Sequence, residues 1–218
     1  MTCYSDDCVA TNLLLCFATD LEGALLRECL TARRESLAII RTGVGPVNAA
    51  HAVTLFLARE HVNGIVVCGV GGAYPGAGLQ VGTVACAESE YYGDLGATSA
   101  AGFLDMEALG FPVVEAPIPL YNALPMQLFP VQRRARFVTV TSLTGTDEAA
   151  RAIESRTRGA VESMEGAAVA HIAHLHGVPV GEVRGISNVV GDRDIRGWRF
   201  RDAAIAAQEA LCSWIASR

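Results

Sequence analysis

Short apolar runs recur along this chain, and most hand over directly to a stretch with helical spacing. That alternation restricts the fold more than any other feature. NLLLCFA (12–18), SLAIIRT (36–42), GIVVCG (64–69) and VGTVACAES (81–89) are too short for buried helices and read as strands. RFVTVTSLTG (136–145), GAVESM (159–164) and VPVGEVRGIS (178–187) continue the series. Helical segments lie at about 21–31, 43–60, 146–157 and 165–177, and an amphipathic helix closes the chain at 202–217. Elements in this order predict an α/β protein. The expected architecture is a three-layer α/β/α sandwich with a mixed, mostly parallel sheet, in one domain over 1–218. Only 91–130, rich in Pro and Gly, breaks the rhythm; it reads as loop with a short helix near 104–109.

Strands buried on both faces need an aliphatic core, and the chain supplies one: 51% hydrophobic but only 6% aromatic. The charged fraction of 18% is low enough for part of the surface to be covered by a second subunit. A net charge of −6, with no basic run interleaved with aromatics, argues against nucleic acid as partner. It leaves an uncharged nucleoside open.

Seven cysteines are scattered without a C-x-x-C pair or metal spacing, which suggests a reducing compartment. The start, MTCYSDDCVA, lacks a basic leader, and the apolar run at 13–17 is too short to span a membrane. The chain is expected in the cytoplasm, free of membranes. His171, His174 and His176 cannot all share one helix face, so they read as packing or surface residues. No metal and no cofactor are expected.

In parallel α/β sheets, ligands sit beyond the carboxyl ends of the strands. Polar or glycine groups follow the strands at Asp20 and Glu22, at 43–45, at 69–72, at Met164–Glu165 and at Ser187–Asn188. They are expected on one rim. Glu165 between a strand and a small-residue helix is the odd member, although a helix N-terminus favours a carboxylate on its own. Asn188 also has a plain reading, as a residue ending a strand in a turn.

The blocks TGVGPVNAAHA, GVGGAYPGAGLQVGTV and VESMEGAAVAHIAHLHGVPV…VRGISN resemble the purine nucleoside phosphorylase/nucleosidase superfamily, in that family's order and over nearly the whole chain. Within it, SNVVGDRD followed by Trp198, YYGDLGA at 91–97 and SLTGTD at 142–147 are most similar to the futalosine hydrolase family. The resemblance implies an N-glycosidase that hydrolyses futalosine to hypoxanthine and dehypoxanthinyl futalosine in menaquinone biosynthesis. Three alternatives stand beside it. They are a methylthioadenosine/S-adenosylhomocysteine nucleosidase, a purine nucleoside phosphorylase, and a non-catalytic nucleoside-binding protein.

Roles follow from the same resemblance. Glu165 is expected to hold the ribose hydroxyls and favour the developing ribosyl cation, with Met164 packed on the sugar. Asn188 stands where methylthioadenosine nucleosidases carry an aspartate that protonates adenine. An amide donates to hypoxanthine N7 and O6 instead, so it points to a 6-oxopurine. Buried polar matching of this kind can discriminate by as much as ~10⁴–10⁵-fold.

Glu22 is the expected base for water, with Asp20 close enough in sequence to compete. Arg184 is expected near the nucleophile, or else paired with a structural acid. Gly71, Gly72 and Ser187 are expected against the substrate, and Thr144, Gly145 and Thr146 against the purine. Arg193, Arg196 and Arg199 are candidates for the carboxylate of the futalosine side chain; the plain alternative is an exposed charge cluster. Arg41 is the one arginine beside the glycine turns, too little to hold phosphate, which favours water as nucleophile. The apolar stretch 103–125 is expected at a homodimer interface.

Overall fold

The computed structural model describes residues 13–29 and 37–218. The MTCYSDDCVA segment with Cys3 and Cys8, the helix end expected near 31, and the strand starts expected at 12 and 36 lie outside the described residues. β1 (Leu13–Phe17) is flanked in parallel by the edge strand β2 (Leu37–Arg41) and by β3 (Gly64–Ala73). Helices α1 (Asp20–Cys29) and α2 (Pro46–Leu57) connect them.

Every residue of β1 is buried, and its side chains alternate between two cores. Leu14 and Cys16 join a cluster with Ala49 and Val53 of α2 and the alanines of α5 (Gly166–His176). Leu13, Leu15 and Phe17 join one with Leu26 of α1 and Leu211 of α6 (Phe200–Ala216). Each fully buried aliphatic side chain contributes about 1.5–3 kcal/mol. The small residues of α5 let that helix approach the sheet closely, because Ala167, Ala168, Ala170 and Ala173 leave almost nothing exposed.

The sheet is mixed, and it closes on itself. β10 (Val180–Val189) lies parallel to β3, and β4 (Val84–Tyr92) is antiparallel to β10. β8 (Arg134–Thr139) runs parallel to β4, and β9 (Val161–Ser163) parallel to β8. β9 then returns to β3 through Gly72↔Glu162 and Ala73↔Val161. The sequence pattern predicts a mixed, mostly parallel sheet; the three-residue β9 turns part of it into a ring.

Two further expectations change. The glycines at 69–72 are not a turn: β3 continues through them to Ala73. The stretch 91–130 is more ordered than a loop. β4 extends to Tyr92, β5 (Gly96–Ser99) and β6 (Gly102–Asp105) form a hairpin, α3 (Met106–Leu109) follows, and β7 (Ala123–Pro125) pairs with β4. Asn122 ties these pieces together, donating to the Tyr92 and Leu95 carbonyls and accepting the Met106 N–H. His171 and His174 fasten the stretch to α5: His171 Nε2 lies 2.7 Å from the Val113 carbonyl and His174 Nε2 lies 3.0 Å from that of Pro125.

After β8 the chain leaves the sheet at Val140 and reaches α4 (Asp147–Thr157) through an irregular segment, not the strand expected to 145. Thr146 caps α4 by accepting the Ala149 N–H at 3.2 Å, with Asp147 and Glu148 in the first turn.

Candidate active site

The chain ends of β1, β3, β8, β9 and β10 converge on a cleft of about 770 Å³, part of it open to solvent. Glu22, Glu165, Arg184 and Asn188 all line it, as do Met164 and Thr144. So do Gly71, Gly72 and Ser187. Gly145 and Thr146 do not: Gly145 accepts the Arg193 N–H and Thr146 caps α4. Asp20 is also outside, exposed and paired with Arg27 and Arg41, which leaves Glu22 as the cleft carboxylate of that turn.

Arg184 is the hub. Its side chain is 2% exposed and meets three carboxylates: Glu182 at 2.6 Å, Glu165 at 3.0 Å and Glu22 at 3.7 Å. Burial alone would disfavour the charged guanidinium, yet Glu182, Glu165 and Glu22 together push its pKa up. Glu165 Oε1 accepts the Gly45 N–H at 3.0 Å while its Oε2 accepts from Arg184, so each oxygen keeps a lone pair for a ligand. Gly45 has a φ of 93°, which turns its N–H toward Glu165 just before Pro46 opens α2. Glu22 is held as firmly: Oε2 accepts the Thr19 N–H and hydroxyl, and Oε1 the Val70 N–H at 3.0 Å.

The glycines of β3 make this crossing possible. A Cβ at Gly69 would lie 2.5 Å from both Arg184 Nη1 and Glu22 Oε1, and one at Gly72 would lie 3.1 Å from Asn188 Nδ2. On β10 the register against β3 shifts between Ile186 and Asn188. That bulge re-aims Ser187 and Asn188 where a regular strand would alternate them. The Ser187 hydroxyl lies 2.7 Å from Asn188 Oδ1, and Asn188 Nδ2 donates to the Val189 carbonyl at 3.0 Å.

Sequence reasoning left Glu162 unassigned, and it matters. Its Oε1 accepts the Thr144 N–H at 2.9 Å and its Oε2 the Tyr74 hydroxyl at 2.8 Å, so it pins the 142–146 segment against the cleft. Ser163, beside it, presents a buried hydroxyl to the cleft with no partner among the described residues. Glu182 was also missed. Its spacing of two from Arg184 on a strand was the available signal, since residues i and i+2 share a face.

Among the candidate arginines, Arg196 pairs with Asp194 and Arg199 with Asp202 on the surface. Arg193 instead lies over the Trp198 ring, 5.1 Å from its centroid, and Trp198 lines the cleft. Among the described residues, no group of three His, Cys, Asp or Glu could hold a metal ion. No helix there is long and apolar enough to cross a membrane.

The phosphorylase superfamily model matches residues 29–216. The futalosine hydrolase of Streptomyces coelicolor is 36% identical over 182 residues, covering 79% of this chain and 76% of that one. The chain belongs to the phosphorylase superfamily, in its futalosine hydrolase family. A second relative in that family, the futalosine hydrolase of Thermus thermophilus, is 33% identical and covered over 78% of its length. Among solved structures, futalosine hydrolase of Helicobacter pylori superposes with a TM-score of 0.80 at 14% identity, covering 96% of this chain and 99% of that one. A methylthioadenosine/S-adenosylhomocysteine nucleosidase from Colwellia psychrerythraea, in complex with adenine, gives 0.79 at 19%, covering 95% of each. Both likenesses are of fold.

Proposed function

We propose that this chain hydrolyses the N-glycosidic bond of futalosine, adding water across it to release hypoxanthine and dehypoxanthinyl futalosine. The reaction supplies an intermediate of menaquinone biosynthesis. The observation that carries this reading is the joining of Glu22, Arg184 and Glu165 in one buried cluster beside Asn188.

Cleavage develops positive charge on the ribose, and the cleft answers with acid in excess. At an effective dielectric of about 20, a carboxylate about 4 Å from the cationic carbon contributes about 4 kcal/mol, roughly a thousandfold in rate. Glu165 accepts from the ribose hydroxyls with its free lone pairs, Met164 packs on the sugar, and Glu22 orients and deprotonates the water. Asn188 Nδ2 donates to the leaving 6-oxopurine, a bond that strengthens as charge gathers on the base. Gly71, Gly72, Thr144 and Ser187 line the same space, and Arg193, which lies over the ring of the cleft residue Trp198, meets a carboxylate on the side chain.

Water fits this site better than phosphate. A dianion would face Glu22, Glu165 and Glu162, and Arg184, the one buried guanidinium among the described residues, already serves three carboxylates. Arg41 is taken by Asp20 at 2.8 Å.

Three broader features belong to the same reading. The helices form two layers on either side of the mostly parallel part of the sheet, as the two cores flanking β1 support. The enzyme is a cytoplasmic one, in keeping with the buried, unbridged thiols of Cys16, Cys68 and Cys86. It works as a homodimer through the apolar stretch 103–125, where Phe111 and Ile118 are 64% and 72% exposed in the single chain.

The test is Glu22→Gln. Its amide oxygen can accept from Thr19 or from Val70 but not from both, the base is removed, and kcat for hypoxanthine release is expected to fall about 10²–10⁴-fold or more. A variant as active as wild type would remove Glu22 from the chemistry; a wild-type protein that binds futalosine but releases no hypoxanthine would favour a binding protein.

A further inference from the structure

Two carboxyl groups behind Arg184 take no part in the steps above. Glu90 of β4 and Glu182 of β10 are both fully buried. Glu182 Oε1 accepts the Arg184 Nε–H at 2.6 Å, and Glu90 Oε2 accepts the Thr139 hydroxyl at 2.7 Å. That leaves Glu90 Oε1 and Glu182 Oε2 buried with no hydrogen-bond partner among the described residues. The two oxygens crowd the same point: a Cβ on Gly166 would overlap both at once. Two ionised carboxylates that close, away from water, repel strongly, and one proton between them turns repulsion into a bond.

We propose that Glu90 and Glu182 share a single proton, carried on Glu90, and that the pair positions Arg184 and, through it, Glu165. The inference rests on the glycosidase reading for what Glu165 does, though not for the proton itself.

With that proton in place, the contacts form a closed circuit. The Ala167 N–H, in the first turn of α5, donates to Thr139 Oγ1 at 2.7 Å, which commits the hydroxyl proton to Glu90. Glu90 bonds Glu182, Glu182 holds Arg184, and Arg184 holds Glu165, which is the residue that opens α5. Every side chain in the circuit is fixed on both sides, so the guanidinium has one orientation. Burial, the Glu182 charge and the bond to Glu182 raise the Glu90 pKa well above the ordinary carboxylate range. The Thr139 hydroxyl from β8 pulls the other way, as does Arg184; the hydroxyls of Tyr74 and Tyr92 are the other titratable groups that face the Glu90 carboxyl.

The shared proton makes the two residues unequal, and that is testable. Glu90→Gln copies the protonated acid, so kcat on futalosine is expected within about threefold of wild type. Infrared spectra of the substrate-free protein should show a protonated-carboxyl band in wild type that is lost in Glu90→Gln. Glu182→Met strips Arg184 Nε of its acceptor and should lower kcat about a hundredfold with KM moved less than about threefold. Glu182→Gln restores the acceptor and should recover most of that loss.

The sign of the stability effect is fixed as well. Folded Glu90 keeps a proton that the unfolded chain releases near its ordinary value of 4.5, so wild-type stability falls as pH rises above that value toward the raised one. Glu90→Gln lacks that slope. No band in wild type, or equal slopes in the two proteins, would overturn the shared proton. A fully active Glu182→Met would overturn the positioning role. The infrared and stability measurements need no substrate, so they stand apart from whether futalosine is the right one.

Discussion

Arg184 is outnumbered by acid, and that imbalance explains much of the site. Glu22, Glu165 and Glu182 share one guanidinium, so the cleft keeps negative charge where a ribosyl cation would form. At this scale Glu165 and Arg184 were legible, because a charge amid apolar runs must be paired. Glu162 was not, since its partners Tyr74 and Thr144 are remote in sequence. Asn188 gives the sharpest prediction. Asn188→Asp is expected to lose 6-oxopurine turnover by about 10²-fold or more, with at most slight gain on adenine nucleosides, measured as kcat/KM on both substrate types. An unchanged profile would undo the argument from amide chemistry.

At the scale of elements, strands were legible and their closure was not. β1, β3 and β10 announce themselves as apolar runs, but the β9–β3 pairing joins residues about ninety positions apart through only two register pairs. The hairpin β5–β6 was missed because its Gly-rich sequence carries little periodicity. The glycines of β3 looked like a turn and are instead flat strand over which Glu22, Arg184 and Asn188 lie. Gly69→Ala should therefore overpack the Arg184–Glu22 contact, costing about 1–3 kcal/mol of stability and nearly all activity. Gly197→Ala, where an added Cβ meets nothing within 4 Å, is the control, expected within about 0.5 kcal/mol of wild type by denaturant titration. Equal effects at the two positions would mean that the crossing does not depend on an absent Cβ.

At the scale of the molecule, the aliphatic composition and low charge foretold strands covered on both faces, and the alternation of β1 between two cores bears that out. Phe111 and Ile118, in the apolar stretch 103–125, are exposed in the single chain, as surface that a second subunit would cover. Gel filtration with light scattering across dilution is expected to give a dimer; a fully active monomer at every concentration would contradict that.

The most direct measurement is purine release in phosphate-free buffer, with futalosine, inosine and methylthioadenosine side by side. The account predicts hypoxanthine from futalosine without added phosphate. Release from inosine only after phosphate is added, or adenine from methylthioadenosine in place of hypoxanthine, would contradict it.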